Sequence, residues 1–235
     1  MKDENKMNSL NYSENEKNFT DKREKLVNIL SENGFIKTKE VKRAIGTVPR
    51  EEFIPEENRA YAYLDRPIRL IEGQTISAPH MVAIICEILQ FEEGMNVLEI
   101  GTGFGYNAAA VSEMMNKKTH VYTIERIGSL AKIAKENLKK TGYDEVIDII
   151  LGDGTLGYET KAPYDRIYGT ASAPYISEPL KKQLKVGGKL LMPVGKYPEP
   201  QDLILLTKES ENKYKEDYLG KVDFVPMIGK YGHDE

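Results

Sequence analysis

Apolar positions first recur at helical spacing in Leu26, Ile29 and Leu30, which predicts a helix over residues 21–31, with Gly34 as its stop. Val41, Ala44 and Ile45 predict a second, short helix over residues 38–45. Val48-Pro49-Arg50 and Phe53-Ile54-Pro55 follow, and proline ends helices and removes donors, so an irregular stretch is expected there. Beyond it, short apolar runs alternate with helical periods. Strands are predicted at residues 96–100, 120–125, 146–151, 166–170 and 189–194, and helices at 78–90, 106–115, 129–141 and 177–184. This alternation predicts an α/β fold with a mostly parallel central sheet and helices on both faces. The pattern changes after Gln201. An apolar run at 203–207, a polar turn and an alternating run at 214–225 predict a closing antiparallel pair. Residues 1–20 are polar and without period, and a disordered tail is expected there. The remainder, 21–235, reads as one domain: a helical and substrate segment (21–92), a cofactor-binding core (93–195) and C-terminal antiparallel strands (196–235).

Composition narrows the setting. A chain of 235 residues holds one domain with a good-sized core. No apolar run approaches the roughly 20 residues that span a bilayer, and no apolar signal core opens the chain, so neither membrane nor export is expected. Cys86 is the single cysteine and lies in an apolar helical stretch, as a small core residue would; a cytoplasmic setting is expected. A net charge of −4 argues against a nucleic-acid footprint. No metal site is expected.

The richest chemistry lies in Val97-Leu98-Glu99-Ile100-Gly101-Thr102-Gly103-Phe104-Gly105-Tyr106. A strand runs into a turn with glycine at every second position, and an alanine-rich helix follows. Glycine lets backbone approach a ligand, and the helix start offers unpaired N–H groups. A dinucleotide fingerprint would place its third glycine at Tyr106, and a P-loop would need a lysine that is absent. Glu99 would repel a pyrophosphate and suits an ammonium or sulfonium. The E-x-G-x-G pattern resembles motif I of the class I S-adenosyl-L-methionine (SAM) methyltransferases. Glu125, ending the next strand, is either a ribose ligand or a solvated carboxylate. Asp153, between Gly152 and Gly154, is either an adenine contact or a turn residue.

A second segment, Gly73-Gln74-Thr75-Ile76-Ser77-Ala78-Pro79-His80-Met81, bears on the acceptor. Ser77 is a candidate helix N-cap, and Pro79 suits a first turn. The alternative is an anion cradle made from the Thr75 and Ser77 hydroxyls and free helix amides, suited to a small carboxylate. A carboxylate, ionised at neutral pH with a pKa of about 4, needs no general base. Its methylation requires mainly alignment and desolvation. His80 reads as a hydrogen-bonded structural residue more readily than as a base.

Taken in order, a longer series carries a resemblance: Val48-Pro49-Arg50, Phe53-Ile54-Pro55, Tyr61-Ala62-Tyr63, Asp65-Arg66-Pro67, the segment from Gly73 to Met81, the motif from Val97, Gly152-Asp153-Gly154, Ala162-Pro163-Tyr164-Asp165-Arg166-Ile167, Gly187-Gly188-Lys189-Leu190 and Phe224-Val225-Pro226-Met227. Over residues 24–232 the chain resembles the protein-L-isoaspartate (D-aspartate) O-methyltransferases, and the Gln74–His80 run is the most specific part. The resemblance implies a Rossmann-like SAM-dependent fold with a reordered C-terminal pair. It implies methyl transfer to the α-carboxyl of L-isoaspartyl residues in damaged proteins and peptides, with D-aspartyl residues as a further substrate. The ester then collapses to a succinimide that opens partly to L-aspartyl. It implies a monomer and an active-site Ser77. The substrate positions expected are Thr75, Ile76, Ser77, His80, Thr170, Ala171 and Ser172. The cofactor positions expected are Glu99, Gly101, Thr102, Gly103, Tyr106, Glu125, Arg126, Asp153 and Gly154. Ser172 stands where alanine is common in the family, and Gly169 is at a variable position. Three other readings stay open: a methyltransferase acting on a small molecule or RNA, a non-catalytic SAM-binding module, and a nicotinamide oxidoreductase, which Tyr106 disfavours.

Overall fold

The structure is a computed structural model and describes residues 18–234. Helix α1 occupies residues 18–32, so residues 18–20 of the expected tail are already helical. The rest of that tail lies outside the described residues. Helix α2 (Lys39–Thr47) buries Val41, Ala44 and Ile45, the stripe read from the sequence, and the Thr38 hydroxyl caps it through the amide of Val41. Three-residue to six-residue 3-10 turns then cover Arg50–Phe53, Glu56–Tyr61 and Ile71–Gly73, as prolines and broken periodicity imply.

Strands β1 (Ile68–Arg69) and β2 (Thr75–Ile76) form a small antiparallel pair, and helix α3 (Pro79–Leu89) follows. The core then alternates: β3 (Val97–Ile100), α4 (Tyr106–Met114), β4 (Val121–Glu125), α5 (Gly128–Thr141), β5 (Ile147–Leu151), β6 (Tyr164–Gly169), α6 (Glu178–Lys182) and β7 (Leu184–Val194). Strands β8 (Gln201–Ser210) and β9 (Lys213–Val222) complete a seven-stranded sheet of order β5-β4-β3-β6-β7-β8-β9. The pairs from β5 to β7 are parallel, and β8 and β9 are antiparallel.

Strand β3 lies centrally with all four residues buried, as a strand covered on both faces must be. In α4 every residue is buried, and Ala108, Ala109 and Ala110 let neighbouring helices approach closely. The chain crosses from one side of the sheet to the other between β3–β5 and β6–β7. The loops after β3 and β6 therefore open side by side at the carboxyl ends of adjacent strands, where open α/β sheets hold ligands.

Among the boundaries that moved, two have a direct cause. The helix expected to run to residue 184 stops at Lys182, because Leu184 already pairs with Tyr164 as the start of β7. Strand β7 starts before the Gly187-Gly188 pair that sequence reasoning placed outside it; the register shifts there and Gly187 takes a φ of +81°. The β1–β2 pair was not foreseen, since two residues per strand carry no periodicity.

Candidate active site

The turn after β3 is shaped by positive φ at Gly101 (+96°), Gly103 (+55°) and Gly105 (+94°). The amides of Gly101 and Thr102 both donate to the Ile124 carbonyl, at 2.9 and 3.3 Å, which folds the loop over the end of β4. At Gly101 the close neighbour is the Thr170 hydroxyl, which a Cβ would approach to 2.5 Å. That hydroxyl donates to the Gly101 carbonyl at 2.6 Å, so the loops after β3 and β6 are fastened together.

Glu125 sits at the mouth. Its Oε2 accepts the Gly103 amide at 2.9 Å and its Oε1 the Ile127 amide at 3.0 Å. Burial raises its pKa, opposed by these amide bonds. Glu99 behaves differently from the sequence expectation. It is 0 % exposed and lies beneath the loop, outside the cleft lining. The Thr123 hydroxyl donates to its Oε2 at 2.6 Å, and the Thr123 and Thr102 hydroxyls are 2.7 Å apart. Burial pushes the Glu99 pKa up to about 8. Its position is that of a buried support for the loop, corrected from a direct ligand contact.

Across the mouth stands the segment from Gln74 to Ser77. Its expected capping role is overturned: the N-cap of α3 is Ala78, with no side-chain cap, because Pro79 begins the helix. The Ser77 hydroxyl takes no hydrogen bond among the described residues, and Ser77 is half-buried in the cleft wall. The helix-amide part of the expected anion cradle also changes. Pro79 has no N–H, and the His80 amide already donates to Asp65 Oδ1 at 2.9 Å. His80 Nδ1 lies 2.9 Å from the same oxygen, and its ring packs on Phe35 at 5.2 Å. His80 is thus a structural partner of Asp65 and does not line the cleft.

One cleft brings together Thr75, Ile76 and Ser77 with Gly101, Thr102, Gly103, Tyr106, Glu125, Thr170 and Ala171. A second shares Gly101, Glu125 and Ala171 with it and adds Arg126, Gly154 and Met227. Together they suit an elongated ligand with a nucleoside at one end. The donor set fits an amino-acid nucleoside. Glycine backbone at Gly101 and Gly103 is laid open, and the buried Asn107 amide oxygen in the cleft wall has no partner among the described residues, leaving an acceptor for an ammonium.

The model of one protein family, "Protein-L-isoaspartate(D-aspartate) O-methyltransferase (PCMT)", matches residues 21–232. The chain belongs to this family. A protein-L-isoaspartate O-methyltransferase of Methanothermobacter thermautotrophicus is 54% identical over 212 residues, covering 90% of this chain and 97% of its own. Its counterpart in Methanococcus aeolicus is 55% identical over 215 residues, covering 91% and 98%. A Plasmodium falciparum protein crystallised with S-adenosyl-L-homocysteine superposes with a TM-score of 0.79 at 28% identity, covering 88% of this chain and 98% of that one. A solved protein-L-isoaspartate O-methyltransferase superposes with a TM-score of 0.81 at 32% identity, covering 89% and 67%. The family is SAM-dependent, and the Rossmann-like fold of this chain is that of its methyltransferases.

Within this family member, two further site expectations change. Ser172 is fully buried; its amide donates to the Val225 carbonyl at 2.8 Å, and its own carbonyl accepts the Met227 amide at 2.7 Å. It holds the C-terminal segment and does not reach the cleft. Asp153 lines neither cleft: Oδ1 accepts the amide and hydroxyl of Thr155 at 2.8 and 2.7 Å, and Oδ2 accepts the Lys230 amide at 2.8 Å. Both residues are used to lay residues 225–231 across the second cleft. Sequence reasoning missed Arg50 and Asn107. For Asn107 a signal existed, since it directly follows Tyr106 in the first turn of α4. For Arg50 the only signal was its place in a quoted motif.

Proposed function

We propose that this chain moves the methyl group of SAM to the α-carboxyl of L-isoaspartyl residues, and to the β-carboxyl of D-aspartyl residues, in damaged proteins and peptides. The observation that carries the reading is the free Ser77 hydroxyl facing the glycine loop across one cleft. When bound, SAM supplies an electrophilic methyl on a sulfonium. The acceptor carboxylate is ionised at neutral pH, with a pKa of about 4, and is its own nucleophile. The cleft wall matches that requirement. Among its described residues it has neither histidine nor cysteine, and its one carboxylate, Glu125, is held by backbone amides.

Ser77 is the hydroxyl that orients the acceptor carboxylate, with Thr75 beside it and Ile76, Thr170 and Ala171 shaping the wall. Gly101, Thr102, Gly103 and Tyr106 form the methionyl side of the cofactor site. In this reading Glu125 holds the ribose, and Arg126 and Gly154, which line the second cleft, hold the base. Such alignment is worth roughly 7–11 kcal/mol of a barrier. The backbone amide nitrogen of the following residue then attacks the methyl ester and expels methanol to close a succinimide, which water opens partly to L-aspartyl. The reading has the chain acting as a cytoplasmic monomer on protein substrates, away from nucleic acid and membrane. Its net charge of −4 and its free, buried Cys86 support that setting. No helix among the described residues is long and apolar enough to cross a membrane.

The test is transfer of labelled methyl from SAM to a synthetic L-isoaspartyl peptide and to its L-aspartyl twin. Base-labile label on the isoaspartyl peptide alone is the expected result. Equal label on both would end the repair reading, and none on either would move the acceptor elsewhere.

A further inference from the structure

Arg50 is 0 % exposed and belongs to no ion pair among the described residues. A buried guanidinium is a demanding thing to place in a core, and an apolar side chain of similar volume packs there with less penalty. What distinguishes this one is where its donors go. Nη2 donates to the Ser77 carbonyl at 2.8 Å, and Nε donates to the Ala62 carbonyl at 2.9 Å. The guanidinium carbon lies 4.7 Å from the centroid of the Tyr106 ring. Ser77 and Tyr106 line the same cleft, one before α3 and the other at the start of α4. Arg50 itself is on a third piece of chain, the 3-10 turn Arg50–Phe53.

From this geometry we infer that Arg50 is a positioning residue, which fixes the Ser77 peptide against the first turn of α4 and so sets where the Ser77 hydroxyl meets the acceptor. The inference rests on the acceptor role proposed for Ser77. The planar fork is essential to it. Two carbonyls are gripped by different nitrogens while the guanidinium carbon lies over an aromatic ring. An ammonium on a flexible stem is a single point donor and cannot do all three. With the fork gone, the segment before α3 loses the contact that ties it to Tyr106. No regular ladder replaces it, because β2 is two residues long.

The experiment is a double-mutant cycle between Arg50→Lys and Ser77→Ala in the full chain, using an L-isoaspartyl peptide. Turnover is expressed per competent site, counted by calorimetric titration with S-adenosyl-L-homocysteine. Arg50→Lys is expected to lower kcat about 10–100-fold, the scale of an ångström-sized misplacement. In the Ser77→Ala background the same change should lower kcat less than about threefold, since the group being positioned is gone. Equal losses in both backgrounds would overturn the inference and leave Arg50 a general core residue. Wild-type turnover in Ser77→Ala alone would also overturn it, while leaving the methyl-transfer reading intact. Failure of the wild-type chain to methylate the peptide would remove both. If Arg50→Lys does not fold, Arg50→Gln, which keeps one amide donor for one carbonyl, runs through the same cycle with the same criteria.

Discussion

The carboxylate of Asp153 accepts the backbone amide of Lys230 at 2.8 Å, joining residues 77 positions apart. Thr155 continues the junction, its hydroxyl accepting the Tyr231 amide at 3.2 Å. Segment 226–228, which walls the second cleft, is therefore pinned from beneath by the loop after β5. Asp153→Ala removes three accepted bonds and leaves two amides to find water. A loss of about 1–3 kcal/mol in local closure follows, one unmet polar group setting the lower end. Amide hydrogen exchange across residues 226–231 should accelerate by roughly tenfold or more, on the same scale. Unchanged protection there would show that Asp153 is not the pin.

Ser77→Ala separates a capping serine from a working one. A cap lost to alanine costs about 1 kcal/mol of stability. Here the hydroxyl caps nothing, so the unfolding free energy from urea titration should change by no more than about 0.5 kcal/mol, as for an unengaged group. S-adenosyl-L-homocysteine affinity should hold, and kcat on the isoaspartyl peptide should fall. A large stability loss with normal turnover would contradict the placement.

Glu99 gives a pH signature. Its folded pKa is raised to about 8, above its unfolded value. Between roughly pH 4.3 and pH 8 the native state holds a proton that the unfolded chain has released. Its contribution to stability is then fully present below the unfolded pKa and is lost as pH rises through the folded one. Glu99→Gln keeps the shape without the titration. The melting temperature of the wild type should fall relative to that of Glu99→Gln between pH 5 and pH 8. Parallel curves would mean that Glu99 is ionised in the folded protein.

Gly101→Ala tests the loop. The residue takes a φ of +96°, and its new Cβ would meet the Thr170 hydroxyl at 2.5 Å. A loss of about 1–3 kcal/mol from crowding and strain is expected, with weakened cofactor binding. Chemical denaturation and calorimetry read the two effects. Retention of both would show that Thr170 swings away freely.

The alternation of apolar runs with helical periods made the central sheet legible, because each of those strands and helices buries a face wide enough to leave a period. Strand β3 and the glycine loop could be read together, for the spacing Gly101, Gly103, Gly105 has few other uses. The acceptor side was harder. Ser77 was legible as a residue of interest, but its capping alternative fell only when Pro79 proved to be the first helical residue. Glu99, Ser172 and Asp153 were misplaced for one shared reason. Sequence spacing tells that a polar residue sits near a site, and it does not tell which face of the loop the side chain takes. Arg50 illustrates the limit further: its partners, Ala62, Ser77 and Tyr106, are scattered along the chain, and no local pattern links them.

The bond from the Thr170 hydroxyl to the Gly101 carbonyl, at 2.6 Å, joins the two loops that Gly101 and Ala171 carry into both clefts. A ligand that settles one loop therefore alters the free energy of seating a ligand on the other. Linkage makes that influence mutual: whatever factor the nucleoside adds to acceptor affinity, the acceptor returns to the nucleoside.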